Sequence, residues 1–524
     1  MKPFDVQNGR PSAAIQRADV CLVLEGTYPY VKGGVSTWVH DLIGSLPDLR
    51  FALVHVGSEW RAGTRMRYSL PANVVSLSNL YCREPPVLRR HADAPRRHAD
   101  AGRSSRVLRG IRRLHLEEEI DSSLLDDLAS GDLSPGAFLH GRASFEVTTE
   151  LCERLAPDAS FIDFFWHSRS MHLPLVRLLA AEPPAATLYH SLCTGYAGLL
   201  AAVWAHRAGR PFLLTEHGIY ARERNLELDR APWLRGTRDS RAADGAQGML
   251  DSSTVSALRL MWVRFFRALA RCAYARASTV VSICDANRQR QIADGAPAGK
   301  TLVVPNGIDV DGLGTRVPGP VPRTPGRHPV RVAFVGRLVP IKDVVTFIHA
   351  CFLALQAVEL DVRIIGPVDE DPAYVRRCRR LVAKLGLERA VRFEGALPIE
   401  RVYSEIDVLV LTSFSEGQPL VILEAGAAGI PVVASDAGAC RELLEGRGNA
   451  DRQIGPSGIV TRLAAPEETA AAIVRLARDP EQRRLLGAAG RRRVATFYRK
   501  SVTVSAYRAL YSWSWPESAG ASSA

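Results

Sequence analysis

Short apolar runs alternate with helical patterns along this chain of 524 residues, and the alternation occurs twice. The runs at 20–24, 186–191 and 211–218 in the first half, and at 330–338 and 407–413 in the second, have the length and composition of buried parallel strands. Polar or Gly-containing residues follow each run. Such alternation in both halves predicts an α/β chain with two doubly wound parallel sheets. In such sheets ligands bind at the carboxyl ends of the strands.

A stretch rich in Pro and Gly separates the two halves and predicts a boundary between domains. The predicted organisation is an N-terminal Rossmann-like domain at 1–310, a linker at 311–330, a C-terminal Rossmann-like domain at 331–495, a helix at 496–515 that packs back on the N-terminal domain, and a disordered tail at 516–524. Two such domains facing each other would hold a ligand in the cleft between them.

The formal net charge of +12 is distributed unevenly. Residues 86–113 carry nine Arg against two Asp, and within them the string RRHADAP is followed by RRHADAG. A short duplication of this kind predicts a flexible, solvated surface insertion. The alternative is an electrostatic contact with a partner or with lipid headgroups. Because the cluster has no interleaved aromatic residues and no nucleic-acid-binding signature, no nucleic-acid partner is expected.

The cysteines and the apolar segments indicate the cellular compartment of the protein. The nine cysteines have scattered spacings and no C-x-x-C pair, which predicts reduced thiols and no cysteine-built metal site. The first 20 residues lack the apolar core of a secretory signal. No apolar run approaches the roughly 18 residues needed to span a bilayer. We therefore expect a cytoplasmic protein.

Two glutamates separated by seven residues, Glu416 and Glu424, mark the first candidate ligand site. Pro419 suits the first position of a helix, so Glu416 is predicted in the preceding loop and Glu424 inside the helix. The N-terminus of that helix, around Gln418 and Leu420, offers free N–H groups and partial positive charge, which suit a phosphate. A carboxylate beside it suits the vicinal hydroxyls of a ribose or a sugar. Alone, the two acids could also be ordinary helix-start and surface residues.

Two further stretches place suitable groups after a predicted strand. Arg337 and Lys342 in GRLVPIKD follow the first strand after the linker and could clamp a pyrophosphate. Their alternative is a solvated pair at a strand end. Gly33 and Gly34 in YVKGGVSTW open a helix after the first strand of the chain, where their N–H groups could approach a phosphate closely. Otherwise the Gly-Gly pair is an ordinary turn.

In combination, these stretches resemble glycosyltransferase family 4. More narrowly, the strings LEGTYPYVKGGVSTWVHDLI, YHSLCTGYAGLLAA, LTEHGIYARER, GPVDEDPAY and SEGQPLVILEA resemble the PelF-like family of Pel exopolysaccharide glycosyltransferases. The resemblance implies the GT-B fold, with an acceptor-side N-terminal domain and a C-terminal domain that binds the nucleotide sugar. It also implies retaining chemistry without a required metal.

The resemblance carries roles over to matching positions. It implies Glu416 near the donor sugar, Glu424 on the nucleotide ribose, Arg337 and Lys342 on the diphosphate, and Gly33 and Gly34 beside the phosphates. His217 in TEHG matches a histidine near the reacting face of the sugar; its alternative is a structural role at a strand end. The expected catalytic residues are His217, Glu416, Arg337 and Lys342, and the expected nucleotide-sugar-binding residues are Gly33, Gly34, Arg337, Lys342, Glu416, Gln418, Leu420 and Glu424. Gly426 stands where the family often has Met, so looser packing of this helix is expected.

The function implied is that of a retaining glycosyltransferase that uses UDP-glucose or a UDP-N-acetylhexosamine to build the Pel polysaccharide of the biofilm matrix. No cofactor and no metal are expected. The expected partners are the UDP-sugar donor, the growing polysaccharide acceptor and an inner-membrane Pel export complex, at which the protein would lie peripherally. The alternatives are a nucleotide-sugar-binding scaffold subunit of that complex and a nucleotide-sugar epimerase of the same fold.

Overall fold

The computed structural model describes residues 17–61, 64–83, 105–117, 120–230, 252–312 and 328–513. Packing divides the chain into two compact units. The first comprises residues 1–281, 291–302 and 508–524, and the second comprises residues 282–290 and 303–507. Of the predicted segments, residues 86–104 of the basic insertion, 313–327 of the linker and the tail at 516–524 lie outside the described residues.

The first unit is built on a seven-stranded sheet. Its strands are β1 (Ala18–Glu25), β2 (Phe51–Glu59), β3 (Val74–Arg83), β4 (Ala186–Ser191), β5 (Phe212–Glu216), β6 (Thr279–Ser282) and β7 (Thr301–Val303). Their order is β3-β2-β1-β4-β5-β6-β7, and β1 pairs in parallel with both β2 and β4. The strand order therefore reverses direction between β1 and β4, where an open α/β sheet forms a crevice at its carboxyl edge.

Ten helices are described between residues 34 and 293, and residues 285–290 of the last one belong to the second unit. They are α1 (Gly34–Gly44), α2 (Arg106–Leu116), α3 (Ser122–Ala129), α4 (Pro135–His140), α5 (Arg142–Leu155), α6 (Phe161–Leu179), α7 (Tyr196–Arg207), α8 (Tyr220–Arg230), α9 (Ser252–Arg276) and α10 (Asp285–Ala293). Much of the apolar core lies among α2–α6 and α9, where Phe164 and Phe265 are fully buried.

The expectation of a flexible, solvated insertion is wrong for residues 105–113. Ser105 caps α2 by accepting a hydrogen bond from the N–H of Leu108, and the apolar face of the helix is buried. The arginines on the other face are paired: Arg109 lies 2.5 Å from Asp127, and Arg112 lies 2.7 Å from Glu150. Apolar residues at helical spacing, which the charge count concealed, hold this segment in the core.

The second unit contains a six-stranded sheet with the order β10-β9-β8-β11-β12-β13. Its strands are β8 (Val330–Val335), β9 (Leu360–Ile365), β10 (Val391–Gly395), β11 (Val408–Leu411), β12 (Val432–Ser435) and β13 (Gly458–Thr461). Every neighbouring pair is parallel. The prediction of two doubly wound parallel sheets is therefore confirmed. The strand order reverses between β8 and β11, which pair directly.

The remaining helices follow in the second half of the chain. They are α11 (Val344–Ala354), α12 (Pro372–Lys384), α13 (Ile399–Ser404), α14 (Leu420–Ala428), α15 (Cys440–Glu445), α16 (Asn449–Arg452), α17 (Pro466–Arg478), α18 (Pro480–Phe497) and α19 (Lys500–Trp513). The last turns of α19 belong to the first unit, where Arg508 forms an ion pair with Asp48 and the Tyr511 hydroxyl lies 3.0 Å from Nδ1 of His190.

Gly426 does not loosen the packing of α14, contrary to the expectation. A Cβ atom at Gly426 would lie 2.8 Å from Cγ2 of Val494, and a Cβ at Gly490 would lie 3.2 Å from Cα of Gly426. Two glycines thus allow α14 and α18 to cross at close range. The absence of a side chain tightens this contact because backbone meets backbone there.

All nine cysteines are free thiols. None of the helices in the described part of the chain has the length and apolar character needed to cross a membrane.

Candidate functional site

The second unit brings Lys342 and Glu416 together at the carboxyl edge of its sheet. Lys342 ends a short 3-10 turn after β8, and Glu416 lies in the loop after β11. Because β8 and β11 are neighbours, their carboxyl ends meet at the reversal of strand order. Nζ of Lys342 donates to Oε1 of Glu416 at 2.6 Å, and the two side chains are only 19% and 7% exposed. The result is a shielded ion pair where an α/β sheet binds its ligand.

Arg337 follows β8 at the same edge, and its partner is a different carboxylate. Its Nη1 lies 2.5 Å from Oε1 of Glu370, and both side chains are about half exposed. Gly336, with φ 157°, turns the backbone between β8 and Arg337. The structure thus gives each cation of the predicted clamp its own carboxylate.

Helix α14 presents its N-terminus next to the Glu416 loop. Pro419 is its N-cap and Leu420 its first residue, one position later than predicted, while Gly429 ends the helix with φ 75°. The first N–H groups of a helix have no acceptor within the helix, so those at Leu420 can meet an anion.

Glu424 lies one turn into α14, where Tyr403 of α13 holds its carboxylate. The Tyr403 hydroxyl donates to Oε2 at 2.7 Å. Burial raises the pKa of the Glu424 carboxyl, and the Tyr403 hydrogen bond opposes that rise. One oxygen is thereby fixed by the protein, and Oε1, which accepts no hydrogen bond from the described residues, can accept one from a ligand. The Tyr403 partner was missed in the sequence because no spacing rule links it to Glu424.

The side chain of Gln418 is occupied within the protein. Its Oε1 accepts from the N–H of Asn306 at 2.6 Å, and its Nε2 donates to the carbonyl of Asn306 at 3.2 Å. Gln418 is 7% exposed. Its side chain therefore holds the Asn306 segment against the loop, and the backbone N–H, the group that the sequence offers to a phosphate, stays its candidate contact.

In the first unit, Gly33 and Gly34 lie at the N-terminus of α1, after β1. Gly33 is the N-cap with an extended backbone, and Gly34 is the first helical residue. A Cβ at either position would meet nothing within 4 Å. Among the residues that the structure describes, neither packing nor backbone conformation requires glycine here, which leaves space for a ligand at this helix N-terminus.

His217 follows β5 in the first unit and packs against Trp38 of α1. The two rings meet edge to face, with centroids 4.7 Å apart. Burial lowers the pKa of His217 to about 4, so the ring is neutral at pH 7. Its Nε2 is buried and has no hydrogen-bond partner within the part of the chain that the structure describes. A neutral imidazole with an unused nitrogen suits hydrogen bonding to a sugar hydroxyl.

Glu216, the residue before His217, is a buried carboxylate that the sequence reasoning did not single out. Its Oε1 accepts from Oγ1 of Thr194 at 3.1 Å and from the N–H of Tyr220 at 3.3 Å. Its Oε2 accepts from the Tyr274 hydroxyl at 2.6 Å and from Nε2 of Gln291 at 3.1 Å. Burial raises the pKa of Glu216 to about 7 against these hydrogen bonds.

Glu25, the last residue of β1, was also missed. Its Oε1 accepts from the Tyr220 hydroxyl at 2.5 Å, and its Oε2 accepts from the N–H of Ala197 at 3.1 Å. A Cβ at Gly195 would lie 2.6 Å from this carboxylate. A glutamate at the end of a predicted strand was the only signal that pointed to Glu25 or Glu216.

Among the residues that the structure describes, no three His, Cys, Asp or Glu side chains are grouped so that they could hold a metal ion.

Comparison with known families divides the chain in two. A family model described as "Domain of unknown function (DUF3492)" matches residues 18–299, and a model described as "Glycosyl transferases group 1" matches residues 329–479.

Two relatives are informative. The chain is 34% identical over 255 residues to a D-inositol 3-phosphate glycosyltransferase of Geodermatophilus obscurus. This match covers 45% of this chain and 53% of the relative. It is 28% identical over 356 residues to an MMP alpha-(1->4)-mannosyltransferase of Mycolicibacterium hassiacum. That match covers 66% of this chain and 75% of the relative. The chain thus spans about half the length of the first relative.

Among solved structures, the chain is similar to the crystal structure of Anabaena Alr3699/HepE in complex with UDP and glucose. The TM-score is 0.55 at 15% identity, and the match covers 94% of this chain and 99% of that one. This likeness, together with the two parallel sheets, shows that the fold is GT-B. Because the first family model covers more than half of the residues, the chain belongs to the DUF3492 family, and a group 1 glycosyl transferase domain follows in the same chain.

Proposed function

We propose that the protein is a glycosyltransferase that transfers a sugar from a UDP-sugar donor. The observation that carries this proposal is the shielded Lys342–Glu416 pair, 2.6 Å apart, at the strand-order reversal of the second sheet. The N-terminus of α14 and the Glu424 carboxylate belong to the same segment. A cation, a helix N-terminus and a carboxylate are the groups that a diphosphate and a diol require.

In this proposal Glu424 binds the ribose. The Tyr403 hydroxyl orients the carboxylate at Oε2, so Oε1 receives the ribose hydroxyls. Since burial raises the pKa of Glu424, its capacity to accept two hydrogen bonds is lost as the pH falls through that raised value. UDP affinity should accordingly weaken in mild acid.

The leaving UDP gains negative charge as the bond to the sugar breaks. Lys342, Arg337 and the N–H groups of α14 stabilise that charge, as a metal ion does in other enzymes. Glu370 and Glu416 hold the two cations in place, so little reorganisation is required when a phosphate arrives. We infer that the reaction needs no metal and retains the configuration, with the leaving phosphate accepting the proton of the attacking hydroxyl.

In this scheme Glu416 of the second unit orients the donor sugar, and neutral His217 of the first unit offers a hydrogen bond to a sugar hydroxyl. His217 contributes hydrogen bonds rather than charge at pH 7, because burial lowers its pKa to about 4. In the first unit, Gly33 and Gly34 leave the N-terminus of α1 clear of side chains, which suits a phosphate there.

The finer function that we propose is synthesis of the Pel exopolysaccharide of the biofilm matrix in the cytoplasm. The donor is UDP-glucose or a UDP-N-acetylhexosamine, and the acceptor is the growing polysaccharide. The protein would lie peripherally at the inner membrane through the Pel export complex. The quoted sequence strings support this, and binding of UDP and glucose by the Anabaena protein supports the choice of donor.

The test is calorimetric titration of the purified chain with UDP, ADP, GDP, UDP-glucose and UDP-N-acetylhexosamines, with and without EDTA. The decisive variant is Glu424→Gln, which keeps an acceptor for the Tyr403 hydroxyl and removes the charge. Glu445→Gln, at an exposed carboxylate on α15, is the matched control. Selective UDP binding that survives EDTA and weakens only in Glu424→Gln supports the proposal. Binding without nucleotide preference, or turnover of the donor without an acceptor, would exclude it in favour of a scaffold or an epimerase.

A further inference from the structure

The Glu216 carboxylate closes the loop that carries His217. Glu216 ends β5, and Tyr220 begins α8. The hydrogen bond from the N–H of Tyr220 to Oε1 of Glu216 therefore joins the two ends of this loop and caps the helix. Thr194, in the segment after β4, reinforces the same oxygen. His217 is the first residue inside the closed loop, so its backbone has little freedom to move.

The second oxygen of Glu216 ties the loop to two further helices. Tyr274 lies on α9 and Gln291 on α10, and both donate to Oε2. A carboxylate suits this place because it only accepts hydrogen bonds, and its two oxygens can satisfy all four donors. Its charge also lies at the N-terminus of α8, where the helix dipole favours an anion.

We propose that Glu216 is a positioning residue that, as an anion, holds the β5–α8 loop so that Nε2 of the His217 imidazole can hydrogen-bond to a sugar hydroxyl. This inference rests on the proposed transferase function, and it adds a residue to that site. Glu216 itself is 1% exposed and reaches the reaction only through His217.

Ionisation of Glu216 falls in the physiological pH range, since burial raises its pKa to about 7. The titratable groups around it are Tyr274 on α9, Tyr220 with Glu25 behind it, Cys193 beside Thr194, the Arg222–Asp294 pair near Tyr274, and the next residue, His217. Burial raises the pKa of the Cys193 thiol. Burial raises the pKa of both tyrosines and lowers that of His217 to about 4. Those three groups therefore keep their neutral state while Glu216 titrates.

A protonated Glu216 can be accommodated without unfolding. Oε1 of Gln291 is buried and has no partner in the described residues, so a flip of this amide would present an acceptor to the new proton. Glu216→Gln should use the same flip and fold. It keeps an oxygen for Thr194 and Tyr220 but loses the charge at the end of α8.

The experiment compares wild type, Glu216→Gln and Glu216→Ala, with Glu153→Gln on the exposed face of α5 as the control. We expect the wild-type kcat to rise through neutral pH as Glu216 ionises. In Glu216→Gln, kcat should stay about three- to fivefold lower and lack that rise, because one charge–dipole interaction is missing. Glu216→Ala should lose about ten- to a hundredfold in kcat, since a displaced side chain has that effect. UDP affinity should be unchanged in both.

A measurement that needs no turnover tests the positioning role of Glu216 separately from the proposed transferase function. In protein with labelled histidine rings, the His217 signal, assigned with His217→Gln, should shift between pH 6 and 8 in wild type and stay constant in Glu216→Gln. Should the chain have no transferase activity, the proposed function fails, and this signal still decides the positioning role. A wild-type pH profile and a wild-type His217 titration in Glu216→Gln would overturn the inference.

Discussion

The crossing of α14 and α18 offers a quantitative test, because Gly426→Ala sets two effects of known size against each other. In an isolated helix, Ala is favoured over Gly by about 1 kcal/mol. In this protein the new Cβ would lie 2.8 Å from Cγ2 of Val494 and 3.4 Å from the carbonyl oxygen of Gly490. Overpacking of this kind costs about 1–3 kcal/mol. Val494 is β-branched and cannot turn away easily within a helix. We therefore expect a net destabilisation of about 1 kcal/mol.

A double-mutant cycle isolates the clash from the helix propensity. Val494→Ala removes the methyl group that the new Cβ would meet, and it loses about 1.5 kcal/mol of apolar burial. In that background Gly426→Ala should become stabilising by up to about 1 kcal/mol, because only the propensity gain remains. Gly136→Ala in α4, where a Cβ meets nothing within 4 Å, is the control and should stabilise slightly in any background.

The assay has to report on the second unit. All eight tryptophans lie at positions that belong to the first unit, so their fluorescence does not follow the unfolding of α14. Scanning calorimetry and hydrogen exchange of peptides from α14 and α18 do follow it. If Gly426→Ala proves as stable as wild type while Val494 is intact, the argument from close helix contact is wrong. The same helix carries Glu424, so a loosened crossing should also weaken UDP binding.

Three further predictions concern other parts of the molecule. Arg493, 1% exposed, donates to Asp451 at 2.6 Å, so Arg493→Met should destabilise the second unit by about 3–5 kcal/mol in calorimetry, whereas Arg492→Met should have little effect. Lys342→Ala should weaken UDP binding about ten- to a hundredfold by calorimetry, because a charge-assisted contact is lost, whereas Lys342→Arg should retain most of the affinity. Acidification below pH 6.5 should destabilise the first unit, as followed by tryptophan fluorescence, because burial depresses the pKa of six of its histidines and only the unfolded chain gains protons. Each histidine should contribute about 1.4 kcal/mol per pH unit until its folded pKa is reached. A stability that is constant from pH 7 to pH 5 would contradict this; the histidines are His55, His115, His167, His172, His190 and His217.

The sequence by itself determined the two parallel sheets and the local geometry of the second site. Apolar runs followed by helical patterns are short-range features of the sequence. Each sheet is built from strands that lie within one half of the chain. The loop position of Glu416, the helical position of Glu424 and the turn at Gly429 follow from Pro and Gly signals within a few residues.

Only the tertiary structure decided which side chains meet. Tyr403 reaches Glu424 from another helix, and Gln418 binds Asn306 more than 100 residues away along the chain. Glu216 gathers donors from four separate segments, and the environment that raises its pKa does not exist until they pack. The arginines of α2 looked like a solvated cluster because charge can be counted along the chain. Their acidic partners, by contrast, come from helices α3 and α5, which only folding brings to them.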